Sequence, residues 1–271
     1  MNFLLHATAV LDQKAFLSFR LWQFSLRNLF RLFPWYYLFR ILLRYPLRSF
    51  RGFALYRRLV KRSHSAQITG TAALDDMAHI GRTTNRFLIA PGYCMKPYDY
   101  TRQRSLCPVG HFNHKCFLLN DINILYHPDR WPKVCSGCGI APLVLQAAHI
   151  RADVYIMTSA LDIAKDVYVP AIEKKGARCG IFFLCPYSLE PFTFGLATAA
   201  IKGALVPFCR GDCKTHEEWT NADVGIKNDQ TFVAEESWRA VLAQLEQLKS
   251  LRGCKERVVY DFDGHVYRLY S

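Results

Sequence analysis

Between Cys94 and Cys138 the chain carries five cysteines, Cys94, Cys107, Cys116, Cys135 and Cys138, with His111 and His114 between the second and the third. Thiols and imidazoles are soft or borderline metal donors. The run Cys107-x3-His111-x2-His114-x-Cys116 puts four of them within ten residues. Cys135-x2-Cys138 lets two sulfurs approach one metal from a single turn, which Gly137 and Gly139 permit. Zinc would be satisfied by Cys107, His111, His114 and Cys116, or by any four of the thiolates, in a closed tetrahedral site. An iron–sulfur cluster would draw its thiolates from the five cysteines, and the Cys107-Pro108 pair is similar to the ferredoxin habit of a proline after a ligand. Five thiols exceed a structural zinc site by one. An iron–sulfur cluster of the four-iron kind is therefore the expectation, and zinc the alternative. The plainer reading of His111 and His114 is hydrogen-bonding loop residues, and of Cys179 and Cys254 small buried apolar residues.

These residues need elements to hold them. Phe87 to Ala90 is a short apolar run ended by Pro91-Gly92, which predicts a strand delivering Cys94 to a loop. After the CxxC, Leu143 to His149 reads as helix and Asp153 to Met157 as a buried strand. A helix over Ala160 to Lys175, a strand over Gly180 to Leu184, a helix over Ser188 to Lys202 and a strand over Ala204 to Phe208 follow. This alternation predicts an α/β fold with a mostly parallel sheet and flanking helices, into which the cysteine-rich loops are inserted. Ligands of such sheets bind outside the carboxyl ends of the strands. Cys185, Cys209 and Cys213 are expected there, as a second metal site or a substrate site. His111, His114, Asp212 and His216 are the titratable candidates beside the two sites. Residues 214–230 read as a long loop, Glu235 to Leu251 as an amphipathic helix, and Arg257–Phe262 with His265–Tyr270 as a β-hairpin turning at Asp263-Gly264.

The charge is uneven. Of a formal net charge of +13, residues 1–62 hold +11, from twelve Lys and Arg and the single acid Asp12. From Leu21 to Tyr56 arginines interrupt a run of Phe, Leu, Trp and Tyr, and the longest uncharged stretch, Leu32 to Phe39, is eight residues. A spanning helix needs about 20. The segment is instead expected to lie in the headgroup layer of an anionic membrane surface, divided by Pro34 and Pro46 into short helices. Trp22, Leu26, Arg27, Phe30, Arg31, Trp35, Arg40 and Arg44 are the expected contacts, with Leu29 and Phe33 sharing the apolar face. Packing on the protein's own core ranks second, and nucleic acid third because so much Leu and Phe would face water. The opening residues lack the basic start of a signal peptide, so the cytoplasmic face of a membrane is the expected location. Residues 63–84 read as a connector to a metal-binding domain over 85–271.

The order of Cys94, Cys107-Pro108, Cys135-x2-Cys138-Gly139, Cys185 with Leu189-Glu190, and Gly211-Asp212-Cys213-Lys214-Thr215 resembles an uncharacterised cysteine-rich family of bacteria and archaea, domain of unknown function one hundred and sixteen. The likeness spans roughly residues 85–245. It implies a membrane-associated metal protein and supplies no reaction. The family pattern has a further cysteine where this chain has Ala141, and a glycine-rich turn where it has Thr158-Ser159. Ser-His-Asp spacing, phosphate loops and HExxH are absent from the sequence, so hydrolase and nucleotide-dependent chemistry has no support. The expectation is a cluster that passes electrons to or from an unidentified redox or assembly protein, or acts on a small substrate. The alternative is a zinc-stabilised membrane- or RNA-binding module.

Overall fold

A computed structural model describes Ser25 and residues 27–62, 69–84, 86–99, 101–227, 229–253 and 257–269. Trp22, Leu26 and Cys254 lie outside the described residues. Among the described residues α1 (Leu32–Tyr37), prolonged by a widened turn over Leu38–Leu42, is followed by α2 (Pro46–Arg62). Both prolines fall in first turns, where a missing N–H breaks no helical hydrogen bond. α3 (Met77–Arg82) leads into β1 (Phe87–Ala90), and a two-stranded ribbon, β2 (Tyr98–Asp99) with β3 (Arg104–Ser105), decorates the cysteine loops. Then follow α4 (Ala141–His149), β4 (Asp153–Val154) and α5, which runs Ala160–Ile163, widens over Ala164–Tyr168 and closes as Val169–Ile172. The widened turn lies just ahead of Pro170, which cannot donate to the helix ladder. β5 (Cys179–Leu184), α6 (Leu189–Ala199), β6 (Lys202–Arg210), α7 (His216–Ala222), β7 (Phe232–Val233), α8 (Glu235–Arg252), β8 (Tyr260–Asp263) and β9 (Val266–Leu269) complete the order.

The main sheet has seven strands in the order β7-β6-β5-β1-β4-β9-β8. β1 pairs in parallel with β4 on one side and β5 on the other, β5 pairs in parallel with β6, and the outer strands are antiparallel. This is the α/β architecture expected, with the carboxyl-terminal hairpin at one edge. Side chains alternate between two cores. Phe87, Ile89, Ile181, Phe183 and Val206 face α4 and α8, while Leu88, Ala90, Phe182, Leu184 and Leu205 face α5 and α6. Because β1, β4, β5 and β6 run the same way, their carboxyl ends meet along one rim.

Several expectations shift. The connector holds α3, whose Met77, Ala78 and Gly81 are buried. The expected loop over 214–230 contains α7, started by a capping box in which Thr215 Oγ1 accepts from the Glu218 N–H and the Glu218 carboxylate accepts from the Thr215 N–H. β4 is shorter than Asp153–Met157, although Gly92 and Met157 still form a parallel bridge. The hairpin turns one residue later, with positive φ at Gly264 (52°) and His265 (73°), the pair a type I′ turn requires. α2 is also bound to the fold: a Cβ on Gly52 would stand 2.6 Å from Thr198 Cα on α6, and the buried Tyr56 donates to Glu190 Oε2 at 3.0 Å.

Candidate metal centre

Four of the five expected thiols converge. Cys107, Cys116, Cys135 and Cys138 line one small cavity of about 20 Å³ together with Lys96, Ile140 and Ile156. Cys116 and Cys135 are buried, and Cys107 and Cys138 are half-buried. Burial pushes the Cys116 thiol up to about 12 and the Cys138 thiol up to about 11, and their neighbouring sulfurs push both the same way. Nearby backbone N–H groups oppose this, those of Leu118 and Leu119 for Cys116 and those of Ile140 and Ala141 for Cys138. Amides aimed at a sulfur favour its thiolate, the form that binds metal. A bound cation would displace the thiol protons.

Lys96 supplies the matching charge. Its side chain is 1% exposed, and Nζ donates to Gly110 O (3.1 Å), Asn113 O (3.0 Å) and Asn113 Oδ1 (2.8 Å). Desolvation lowers its pKa, while Cys107, Cys116 and Cys138 work to raise it. A buried ammonium without a carboxylate partner is costly. Here its electrostatic neighbours are sulfurs, so thiolates or an anionic metal centre would offset that cost.

Cys94 joins a different set. The expected five-thiol group divides, because Cys94 leaves β1 at the rim and meets the strand-end thiols Cys185 and Cys213. Thr231 Oγ1 donates to Cys94 Sγ at 3.3 Å, and the Cys213 N–H donates to Cys185 Sγ at 3.4 Å. Burial raises Cys94 to about 11. The Cys185 thiol donates to the Cys213 sulfur, which holds Cys213 down and Cys185 up. Gly211 makes the approach possible, since at φ +68° a Cβ there would stand 2.3 Å from Gln230 O. All three thiols line an apolar cavity of about 530 Å³. Cys209 does not belong, because strand alternation buries Phe208 and turns Cys209 outward, where it is exposed.

The auxiliary candidates go elsewhere. His114 accepts or donates at both nitrogens, Nδ1 with Ile156 O at 2.8 Å and Nε2 with Thr158 Oγ1 at 3.2 Å. It stacks on His265 with centroids 4.2 Å apart and planes 15° apart. Ligand atoms of His114, Asp166 and His265 lie within 4.8 Å of one another. Parallel stacked rings do not aim their in-plane lone pairs at a common point, so we read this trio as a clamp in which His265 of the hairpin bonds Asp166 of α5 at 3.0 Å and stacks on His114 of the cysteine loops. His111 packs edge-on to Tyr93, and burial lowers its pKa to about 4. Asp212 is neutralised by Lys214 at 2.7 Å, and His216 stacks on Trp219.

The amino-terminal surface divides between inside and outside. Arg31 was expected at the membrane, but its guanidinium pairs with Asp223 Oδ2 at 2.9 Å and donates to Thr220 O. Phe33 also turns inward, 6.0 Å from Trp219. Arg31 is the extended N-cap ahead of α1, which begins at Leu32, so Arg31 and Phe33 take a different direction from Phe30. Outside lie Phe30 (95% exposed), Leu32 (77%), Leu47 (76%) and Phe50 (74%), among the exposed Arg40, Arg44 and Arg51. Arg27 is exposed, and Trp35, itself 45% exposed, donates to Leu29 O. No helix among the described residues is long and apolar enough to cross a membrane.

Sequence reasoning missed Lys96, and the only available signal was a lysine two residues after Cys94 in an otherwise apolar run. It also missed Thr231, which carries no motif. Comparison of the chain with protein-family models, with curated proteins and with solved structures found no match.

Proposed function

We propose that this protein is an iron–sulfur protein that works at a membrane surface, with Cys107, Cys116, Cys135 and Cys138 as the cluster ligands. The observation that carries the proposal is the convergence of these four thiols beside the buried Lys96 ammonium. An all-sulfur donor set fits a four-iron cluster in donor type. Among the described residues no three of the four sulfurs lie within 4.8 Å of one another. A tetrahedral zinc with Zn–S near 2.3 Å holds its sulfurs about 3.8 Å apart. A bound cluster would supply one-electron transfer. The chain's own part is to hold the sulfurs, to balance their charge with Lys96 and to exclude water.

The exposed Phe30, Leu32, Leu47 and Phe50, set among arginines, support attachment to an anionic bilayer from one side, consistent with the cytoplasmic face. Cys94, Cys185 and Cys213 supply at most three thiolates to a metal, so a metal there would keep a position open toward the adjoining cavity. That is where chemistry on a substrate, or electron exchange with a protein partner, would take place.

Zinc is the second reading, favoured by the volume of the cavity that the four thiols line, about 20 Å³, which suits a single ion. Purification without oxygen, followed by electron paramagnetic resonance before and after reduction, separates the two. A reduced-state signal that appears on reduction supports the cluster. A spectroscopically silent protein containing zinc overturns it.

A further inference from the structure

We propose that the cavity beside Cys94, Cys185 and Cys213 binds a neutral, single-chain lipophile with a small polar head, drawn from the membrane, with the head against the three thiols. The source of the ligand rests on the membrane-surface reading above, whereas the existence of the site does not.

The cavity's volume of about 530 Å³ lies in the range of small-molecule sites, about 300–1,000 Å³. Its walls are apolar: Phe33, Trp35 and Leu38 come from the amino-terminal helices, Phe183 and Phe208 from the sheet, and Trp219 from α7. Cavities lined in this way stay dry and take apolar guests. Three of the polar groups that reach it, on Tyr93, Thr158 and Asp223, are already used. Tyr93 donates to Ala222 O at 2.7 Å, Thr158 donates to Asp162 Oδ2 at 2.8 Å, and Asp223 accepts from Arg31 at 2.9 Å and from the Ala160 N–H at 2.7 Å.

Charge decides the class. Among the described residues no Lys, Arg or His lines the cavity, and Asp223 is the one acidic group. A carboxylate or phosphate head would be desolvated with no cation in the lining, since Lys227, whose charge reaches Cys94 and Cys213, is turned to Gly211 O, and it would face a carboxylate. A cationic head would have to compete with the Arg31 guanidinium for Asp223. A neutral head, such as a quinone or an alcohol, meets neither penalty, and thiols can hydrogen-bond to it weakly. The entry route agrees, because the segment that walls the cavity carries Phe30, Leu32, Phe39 and Leu43 exposed on its outer side. A lipophile entering from a bilayer would pass between these faces without crossing water.

The test is calorimetric titration of the full chain with 1-decanol, decanoate and decyltrimethylammonium, beside Leu38→Trp and Ala160→Phe, which fill the cavity. Saturable binding of one decanol per chain is expected, with both ions weaker by about tenfold, near 1.4 kcal/mol. Each filled variant should lose decanol binding by a similar factor. Unsaturable decanol uptake, equal binding of decanoate, or full binding by both filled variants overturns the proposal. Should the filled variants unfold, quenching of Trp35 and Trp219 emission by decylbenzoquinone reads the same site. Saturable quenching displaced by decanol supports it, and non-saturating quenching overturns it. Flotation with anionic vesicles separates the two readings. A chain that floats but binds no decanol overturns the cavity proposal alone. A chain that binds decanol but does not float upholds the site and overturns the membrane-surface reading.

Discussion

The Lys96 ammonium lies 2.8 Å from Asn113 Oδ1, in the wall of the cavity formed by Cys107, Cys116, Cys135 and Cys138. The pair ties the chain after β1 to the loop between Cys107 and Cys116, so one buried charge both closes the loop and faces the sulfurs. Lys96→Met keeps the length and removes the charge. It leaves Gly110 O and both Asn113 oxygens without this donor, at about 1–3 kcal/mol for a buried unsatisfied group. Loss of stability in denaturant titration and a lower metal content per chain are expected together. Unchanged metal retention would remove Lys96 from the site.

Membrane attachment is expected to depend on the outer face of α1 and α2 and not on Arg31. Phe30→Asp with Leu47→Asp should abolish flotation with anionic vesicles, yet change stability by no more than about 0.5 kcal/mol, as exposed positions do. Raising the salt should weaken flotation of the unmodified chain, because the arginines there are exposed and screened. Arg31→Met should do the reverse, destabilising the fold through Asp223 while leaving flotation intact.

The layout of the α/β sheet was readable because its strands are continuous apolar runs, each ended by a turn or a cysteine, and burial on both faces favours such runs. α7 was not readable, since His216 to Ala222 is polar and short and its start depends on a local cap at Thr215 and Glu218. The division of the thiols was half legible. Cys185 and Cys213 sit at strand ends, where topology places a site, but Cys94 lies near the other cysteines in sequence and only the parallel pairing of β1 with β5 takes it to them. The outward turn of Cys209 was available from strand alternation beside the buried Phe208. Lys96 was not available, because no pattern marks a lysine whose three acceptors lie 14 to 17 residues downstream.

Thr215→Ala tests α7 separately from the metal. Losing the capping box should cost about 1 kcal/mol, with metal content unchanged. A large loss of metal would mean that the metal depends on α7 and would contradict a site confined to Cys107, Cys116, Cys135 and Cys138.

Asp153, at the hairpin edge of the sheet, gives a pH signature away from the thiols. Burial raises its carboxyl to about 6, against the opposing pull of Arg268, the Leu269 N–H and Arg86. Between about pH 4 and pH 6 the folded chain therefore holds more proton than the unfolded one, so this group's contribution to stability falls as pH rises through that window. The full change is at most about 3 kcal/mol, two pKa units at 1.36 kcal/mol each. Asp153→Asn should flatten that slope and raise stability at pH 7, as read by urea midpoints at pH 4.5, 6 and 7.5. A slope unchanged by the substitution would assign the titration elsewhere.

The most direct test is the iron and acid-labile sulfide content of the full chain purified without oxygen, measured beside a Cys135→Ser, Cys138→Ser variant and a Cys209→Ser variant. The account expects iron with matching sulfide in the unmodified chain and in Cys209→Ser, and neither in the double variant, while all three remain folded. Zinc without sulfide, or iron that survives loss of Cys135 and Cys138, would contradict it.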